Sequence, residues 1–227
     1  MNKKSGKRLV IVGAGPFGEI AGEYFEHDSE YQVVGFAEER DHRSRDLVSG
    51  LPVIDFEAIE STYSPESHDV FVAITYNRFN RTRSRLAAAA KEKGYRLATY
   101  VSSRAFVWHN VTLGENVFVF EDNTVQPFVT IGDNTILWSG NHIGHHSRIG
   151  RSCFISSHVV ISGFCEIGDN TFLGVNCTFG NNMSVGADCW IGPGVVLTRD
   201  VPPNTLYKPY RHQPSEVPAL SFFEIDE

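Results

Sequence analysis

The first hundred residues alternate short apolar runs with stretches of helical periodicity. Apolar runs at residues 9–12, 32–36, 70–74 and 97–101 predict strands, and the patterns at 16–27 and 78–93 predict helices, the second ending at Gly94. Strands that alternate with helices indicate a parallel sheet with crossover helices. The stretch is about half the length of a full dinucleotide-binding fold, so we predict a half-Rossmann β-α-β head.

From Val107 onward the apolar positions recur every sixth residue. Glycine often follows them, and the residue four positions later is usually small or β-branched. This hexapeptide period predicts a parallel β-helix, in which each short strand turns one side chain inward. The sixteen members of the series are Val107, Leu113, Val119, Val125, Ile131, Leu137, Ile143, Ile149, Ile155, Ile161, Ile167, Leu173, Phe179, Val185, Ile191 and Leu197.

The four cysteines follow the same repeat. Cys153, Cys165, Cys177 and Cys189 each lie four residues after an apolar member of the series, where a small inward side chain is expected. With three hexapeptides per coil, Cys153 and Cys189 share a face two coils apart, which at ~4.8 Å per coil is too far for a disulfide. We therefore expect core cysteines and not a disulfide or metal set.

Composition narrows the function classes. The net charge of −7 and the pI near 5.7 argue against a nucleic-acid partner. No apolar run reaches the ~18 residues of a membrane span, and no signal segment opens the chain, so a cytoplasmic location is expected. The one basic stretch, residues 78–85, reads more readily as a solvated helix face than as a ligand site.

A histidine cluster interrupts the repeat at His142, His145 and His146. A β-helix core needs no such cluster, so we predict that one of these histidines is a general base near neutral pH. A zinc site is the rival interpretation, but adjacent side chains on a strand project in different directions and no further ligand completes a set. No metal is expected.

The glycine-rich turn at residues 13–18 follows a predicted strand and opens a helix. Gly13 and Gly15 could bring backbone N–H groups and the helix dipole to a phosphate, and Glu38 lies at the end of the next strand, where it could bind a ribose or base. A tight turn with close helix packing is the alternative explanation.

When the α/β head and the hexapeptide repeats are taken together, residues 7 to about 205 resemble bacterial sugar O-acyl/N-acetyltransferases of the sialic-acid O-acetyltransferase type. These include the UDP-4-amino-sugar and GDP-perosamine N-acetyltransferases. The resemblance implies a nucleotide-sugar-binding domain at 1–101, a left-handed β-helix acyltransferase domain at 102–205 and a tail at 206–227. It also implies a homotrimer in which neighbouring β-helices form the acetyl-CoA groove.

The resemblance assigns the site residues of the β-helix one by one. Ile143-Gly144-His145 matches the family's catalytic-histidine pattern, with His146 at the position of its usual acid. Phe154 stands where some members have a second histidine, and Gly163 matches a glycine of the acetyl-CoA groove. A backbone N–H near Gly163 is expected to stabilise the oxyanion.

In the head, the resemblance assigns substrate contacts. Gly13 and Gly15 match the nucleotide-phosphate turn, Glu38 and Glu39 occupy the positions of paired acids near the base, and Asn77 is retained from the family's Ala-Ile-Gly-x-Asn motif.

The expected activity is transfer of an acetyl group from acetyl-CoA to an amine, or to a hydroxyl, of a nucleotide-linked sugar, with His145 as base. Two alternatives stay open: a non-catalytic scaffold that binds a sugar nucleotide, and an NAD-dependent oxidoreductase. The half-length head argues against the second.

Overall fold

A computed structural model describes residues 6–210 and 213–225 of the chain. The head consists of β1 Lys7–Val12, α1 Pro16–Asp28, β2 Tyr31–Glu38, β3 Leu47–Val48, β4 Leu51–Asp55, a 3-10 turn at Phe56–Ala58, α2 Ile59–Thr62, β5 His68–Val72 and α3 Arg81–Glu92. Its sheet has the order β3-β4-β2-β1-β5, with all pairs parallel except β3 with β4. The predicted α/β head is confirmed, and the hairpin of β3 and β4 was not foreseen.

Two predicted elements have different bounds for clear reasons. The helix expected from residue 78 begins at Arg81, because Arg78, Phe79 and Asn80 all have positive φ (46°, 55° and 66°) and cannot be helical. The strand expected over 97–101 is divided: Leu97 bridges to β5, whereas Tyr100–Val101 pairs with the first coil of the β-helix.

The second half is a left-handed parallel β-helix with three faces. Its two-residue strands repeat every eighteen residues in three parallel sheets. The first face holds Phe106–Val107, Thr124–Val125, His142–Ile143, Val160–Ile161, Thr178–Phe179 and Val196–Leu197; the second Thr112–Leu113, Thr130–Ile131, Arg148–Ile149, Glu166–Ile167 and Ser184–Val185; the third Tyr100–Val101, Phe118–Val119, Ile136–Leu137, Phe154–Ile155, Phe172–Leu173, Trp190–Ile191 and Leu206–Tyr207.

The interior is the apolar column that the sequence predicted. Fourteen members of the six-residue series are buried in one cluster, and Val107 and Leu113 pack against it half-buried. All four cysteines are buried and free, which confirms the expectation for them. Burial raises the pKa of the Cys153 thiol to about 12.

Each corner turns through a left-handed residue three positions after the inward apolar one. Asparagine and aspartate hold half of these places, as at Asn134 (φ 58°), because their short polar side chains tolerate this conformation. Phe128, His146 and Phe164 occupy successive turns of one corner at φ 65°, 59° and 58°.

The head docks on the third face, and the two halves share one core. Phe17, Phe25 and Phe71 of the head pack on Phe118 of the β-helix, with ring centroids 5.3–5.9 Å apart. Further along the face, Tyr76 packs over the stacked rings of Phe154, Phe172 and Trp190. Across the described ranges, 6–210 and 213–225, no helix is both long and apolar enough to cross a membrane.

Candidate active site

His145 and His146 lie at the corner between the first and second faces, and both are exposed. The sequence argument expected adjacent histidines to point apart, as on a strand. They lie instead in a turn, where the left-handed conformation of His146 brings the two rings together, with Nδ1 of His145 3.1 Å from Nδ1 of His146. The expectation of divergent side chains was wrong for this pair.

A bond between two Nδ1 atoms requires one of them to carry a proton. If His145 donates, its Nε2 is an unprotonated lone pair, which is the form of imidazole that acts as a base. His146 then accepts in its neutral Nε2–H form. His146 can therefore do for the orientation of His145 what a carboxylate does in other histidine sites, without a negative charge.

Aromatic rings hold His146 in this position. Its ring stacks between those of Phe128 and Phe164, with centroids 4.6 and 4.8 Å away. The ring of Phe164 is also perpendicular to that of His145, with centroids 5.0 Å apart. Phe128 and Phe164 are 58% and 51% exposed. The histidine pair thus lies in an apolar surface patch, and the sequence argument identified the histidines but not the two phenylalanines beside them.

Gly163 faces His145 from the next coil. A Cβ built on Gly163 would lie 2.8 Å from Cε1 of His145, so the glycine leaves room for the imidazole. Its own N–H donates to Oδ1 of Asn181 at 3.0 Å. The amide of Gly163 is therefore engaged in this structure, and the oxyanion donor near Gly163 stays a prediction.

Phe154 and His158 lie away from this corner. Phe154 is buried on the third face beneath Tyr76, and His158 is in the corner between the third and first faces, where its ring fills the space beside Gly140. In the part of the chain that the structure describes, no group of three or more His, Cys, Asp or Glu side chains could hold a metal ion.

A pocket of about 410 Å³ opens in the head at the carboxyl ends of β1 and β2. It brings together Gly13, Glu38, Glu39 and Asn77, four of the five predicted substrate residues. Its other lining residues are Val12, His42, Ile74, Arg78, Thr82, Arg85 and Leu86. The carboxyl edge of a parallel sheet is where such folds bind nucleotides.

The three glycines of the turn have different tasks. Gly13 has φ 112°, and a Cβ there would meet the carbonyl oxygen of Ala73 at 2.8 Å. A Cβ on Gly18 would lie 2.0 Å from the carbonyl oxygen of Gly13, so Gly18 serves helix packing. Gly15, the N-cap of α1, has open space around it. Packing thus requires glycine at positions 13 and 18, which agrees with the structural explanation, and does not require it at position 15. Gly13 nevertheless lines the pocket, whereas Gly15 does not.

Arg85 fixes the acidic wall of the pocket. Its two terminal nitrogens donate to both carboxylate oxygens of Glu39, at 2.8 and 2.7 Å, and this bidentate bond lowers the pKa of Glu39. The basic stretch is only in part a solvated face: Arg78 and Arg85 are exposed but line the pocket, and Arg83 is fully buried. The single sequence did not separate these three arginines.

A second and larger groove, of about 780 Å³, runs along the outside of the second face. Arg148, Glu166 and Ser184 form its floor, with Arg151 and Asp169 at one rim. His145 is not among its lining residues.

Family models cover both halves of the chain. Residues 8–90 match the PglD N-terminal domain, residues 128–163 and 146–181 match the bacterial transferase hexapeptide repeats, and residues 166–199 match the hexapeptide repeat of succinyl-transferase. No curated protein matches the chain significantly.

Solved structures match over nearly the whole length. PerB from Caulobacter crescentus, in complex with CoA and GDP-perosamine, is 28% identical with a TM-score of 0.79, over 88% of this chain and 93% of that one. The acetyltransferase domain of PglB from Neisseria gonorrhoeae is 24% identical with a TM-score of 0.81, over 89% and 97%. WeeI from Acinetobacter baumannii is 20% identical with a TM-score of 0.59, over 88% and 95%. The last two show a shared fold.

Proposed function

The chain joins a PglD N-terminal domain to bacterial transferase hexapeptide repeats, and on that premise we propose that it is a nucleotide-sugar acetyltransferase. It transfers the acetyl group of acetyl-CoA to an amine, or less readily to a hydroxyl, on the sugar. The observation that carries the proposal is the combination of a pocket of about 410 Å³ in the head with an exposed histidine pair in the β-helix, whose Nδ1 atoms lie 3.1 Å apart. With His145 as the donor of that bond, its Nε2 is the base.

The likeness to PerB supports the choice of both substrates. That structure holds CoA and GDP-perosamine, a nucleotide sugar, and matches this chain across both halves. In this proposal the nucleotide occupies the pocket of the head, and the histidine corner of the β-helix carries out the transfer.

In the proposed reaction, Nε2 of His145 removes the proton of the attacking amine as its nitrogen bonds to the thioester carbonyl carbon. The carbon–sulfur bond then breaks, and the CoA thiolate leaves and takes up a proton. His146 accepts the Nδ1–H of His145 and keeps Nε2 directed outward. General-base assistance of this kind is typically worth ~10²–10⁴-fold in rate.

The nucleotide diphosphate is proposed to bind at the N-terminus of α1, where the N–H groups of a thirteen-residue helix point toward Gly15. Glu38 and the Arg85-bound Glu39 then face the ribose and base, and Asn77 faces the sugar. The head lacks the second mononucleotide unit that NAD binding uses, which disfavours the oxidoreductase alternative.

A second copy of the chain is proposed to complete the site, in a homotrimer. His145 stands on a convex corner, which offers no wall opposite its ring, and the exposed Phe128 and Phe164 beside it would be covered by a neighbour. Sedimentation at about three times the 25.3 kDa chain mass would agree with this arrangement, and a fully active monomer would contradict it.

The deciding experiment follows the release of free CoA thiol from acetyl-CoA with a panel of UDP-, GDP- and dTDP-linked amino sugars. We expect thiol release that depends on one of these acceptors, and a ~10²–10⁴-fold lower kcat in His145→Ala. His142→Ala is the matched control, because this half-buried histidine of the same cluster lies in a strand of the first face and not in the turn that holds the histidine pair.

Three outcomes would contradict the proposal. A folded His145→Ala protein with full activity would remove the base. Binding of the nucleotide sugar without thiol release for any acceptor would favour the scaffold, and binding of NAD alone would favour the oxidoreductase.

A further inference from the structure

One corner of the β-helix is bonded to the head at every coil that it passes. We name it the docking corner: the turn residues between the second and third faces, Asn116, Asn134, Ser152, Asn170 and Asp188, eighteen residues apart. The side chain of Asn116 pairs with the backbone N–H and carbonyl of Val72, at 2.8 and 3.3 Å. The later coils are reached by residues at the start of α3.

Arg83 is the centre of these contacts. Toward the β-helix, its guanidinium donates to the carbonyls of Asn134, Ser152 and Cys153 at 2.7–3.2 Å. Toward the head, it donates to the carbonyls of Ile74 and Thr75 and to Oδ1 of Asn80. Six acceptors thus use all the N–H groups of one fully buried side chain.

Asn80 extends the same network by one coil. Its Nδ2 donates to the carbonyl of Asn170 at 3.1 Å while its Oδ1 accepts from Arg83, so both ends of the buried amide are used. Ser84 adds a hydroxyl bond to Ser152 at 2.7 Å. Arg83 and Asn80 together span three successive coils of the docking corner.

The partners of Arg83 are all carbonyl or amide oxygens and include no carboxylate. Burying this charge costs desolvation free energy that no ion pair offsets, and the two surfaces already share an aromatic core without it. Only a planar fork with five N–H groups can reach both sides at once. The arrangement fixes a geometry, which apolar packing alone specifies less sharply.

The segment held by this network is the wall of the nucleotide pocket. Residues 74–80 form a turn between β5 and α3, and Ile74, Asn77 and Arg78 line the pocket. The turn ends in three consecutive left-handed residues, 78–80, a conformation that persists only when surrounding contacts enforce it. Arg83 and Asn80 supply those contacts.

We propose that Arg83, with Asn80, is a positioning residue of the acetyl transfer. It holds the pocket-lining turn 74–80 in one register against the docking corner, so that the sugar of a bound nucleotide is presented toward the β-helix. This inference rests on the proposed function. It predicts that loosening the network separates nucleotide binding from transfer to the sugar.

The test compares Arg83→Lys and Asn80→Gly with the wild-type protein. Lysine keeps the charge but reaches fewer acceptors, and glycine keeps the left-handed backbone while removing both amide contacts. Lys91→Ala is the control, because it removes an exposed ion pair between the far end of α3 and Glu115, beside Asn116 of the docking corner. Each protein is assayed for sugar-dependent thiol release, sugar-independent hydrolysis of acetyl-CoA, nucleoside diphosphate affinity by calorimetry, and thermal unfolding.

We expect sugar-dependent kcat/KM to fall about 10²-fold in both variants, since a displacement of about 1 Å can cost that much. Hydrolysis by water and nucleoside diphosphate affinity should stay near wild type, as should all four measurements in the control. Unchanged sugar transfer in folded variants overturns the inference, and so does a parallel fall of every activity with thermal stability. A wild-type protein without sugar-dependent transfer overturns the proposed function itself.

Discussion

Replacing Gly163 with alanine places a methyl group against the ring of His145. The new Cβ would lie 2.8 Å from Cε1, 2.9 Å from Nε2 and 3.3 Å from Nδ1 of that histidine. The backbone of Gly163 is not in the left-handed region, so alanine fits it without strain. The perturbation therefore falls on the imidazole and not on the turn.

The size of the effect follows from these distances. To restore an ordinary contact of at least 3.4 Å, the ring must move by about 0.6 Å or rotate away from Gly163. Because His145 is exposed, it can swing into solvent at little cost in folding free energy, but it then loses its bond to His146. A displacement approaching 1 Å costs up to about 10²-fold in rate, or ~2.7 kcal/mol of activation free energy.

Two other glycines of the same corner serve as controls. A Cβ on Gly180 meets nothing closer than 3.7 Å, so Gly180→Ala should leave both kcat and the melting temperature unchanged. A Cβ on Gly144 would lie 2.5 Å from the backbone carbon of Ser162, so Gly144→Ala should lower the melting temperature. For Gly163→Ala we expect kcat for sugar-dependent thiol release to fall about 10- to 10²-fold with an unchanged melting temperature.

A Gly163→Ala protein with wild-type kcat would refute this reasoning. It would mean that the position of the His145 ring does not limit the reaction. A loss of activity that follows a loss of stability would also refute it, because the glycine would then serve the fold.

Three further predictions use the same assays. Gly15→Ala should raise the KM for the nucleotide sugar about tenfold without changing the KM for acetyl-CoA or the melting temperature. Gly13→Ala should instead destabilise the head. If the two variants had equal effects on calorimetric binding and on unfolding, this prediction would be wrong. His146→Asn suits the left-handed backbone of φ 59° and offers an oxygen acceptor, whereas His146→Phe keeps only the ring stack. We expect the phenylalanine variant to lose about tenfold or more in kcat and the asparagine variant to lose less. The reverse order would exclude His146 as the acceptor. Since all four cysteines are buried, the native protein should show no thiol that reacts with Ellman's reagent, and the protein unfolded in guanidinium should show four. A thiol that reacts rapidly in the native protein would contradict the assignment of the cysteines to the core.

The sequence by itself determined the architecture, because the repeating unit is short and its rule is local. One inward apolar residue in every six builds the β-helix whatever else is present, and the cysteines were placed correctly by the same count. The glycine-rich turn after β1 was equally readable, since strand, turn and helix follow one another directly. His145 stood out because the repeat does not need it.

Tertiary structure decided which outward residues are surface. Phe118 and Phe154 project from a β-helix strand as His142 does, yet they are buried because the head covers the third face and leaves the first uncovered. Arg83 lies on the side of α3 that packs against the docking corner and is fully buried there, whereas Arg81 and Arg85 stay exposed. No local pattern encodes that contact, because its acceptors are backbone carbonyls more than fifty residues away.

The partner of His145 was also settled in three dimensions. The sequence places His146 next to it, but adjacency on a strand would separate the two rings. The left-handed turn at His146, and the rings of Phe128 and Phe164 eighteen residues before and after it, bring the two Nδ1 atoms to 3.1 Å. Stacking between coils joins residues at a spacing of eighteen, so the chemistry at this corner depends on the coil above and the coil below as much as on its own turn.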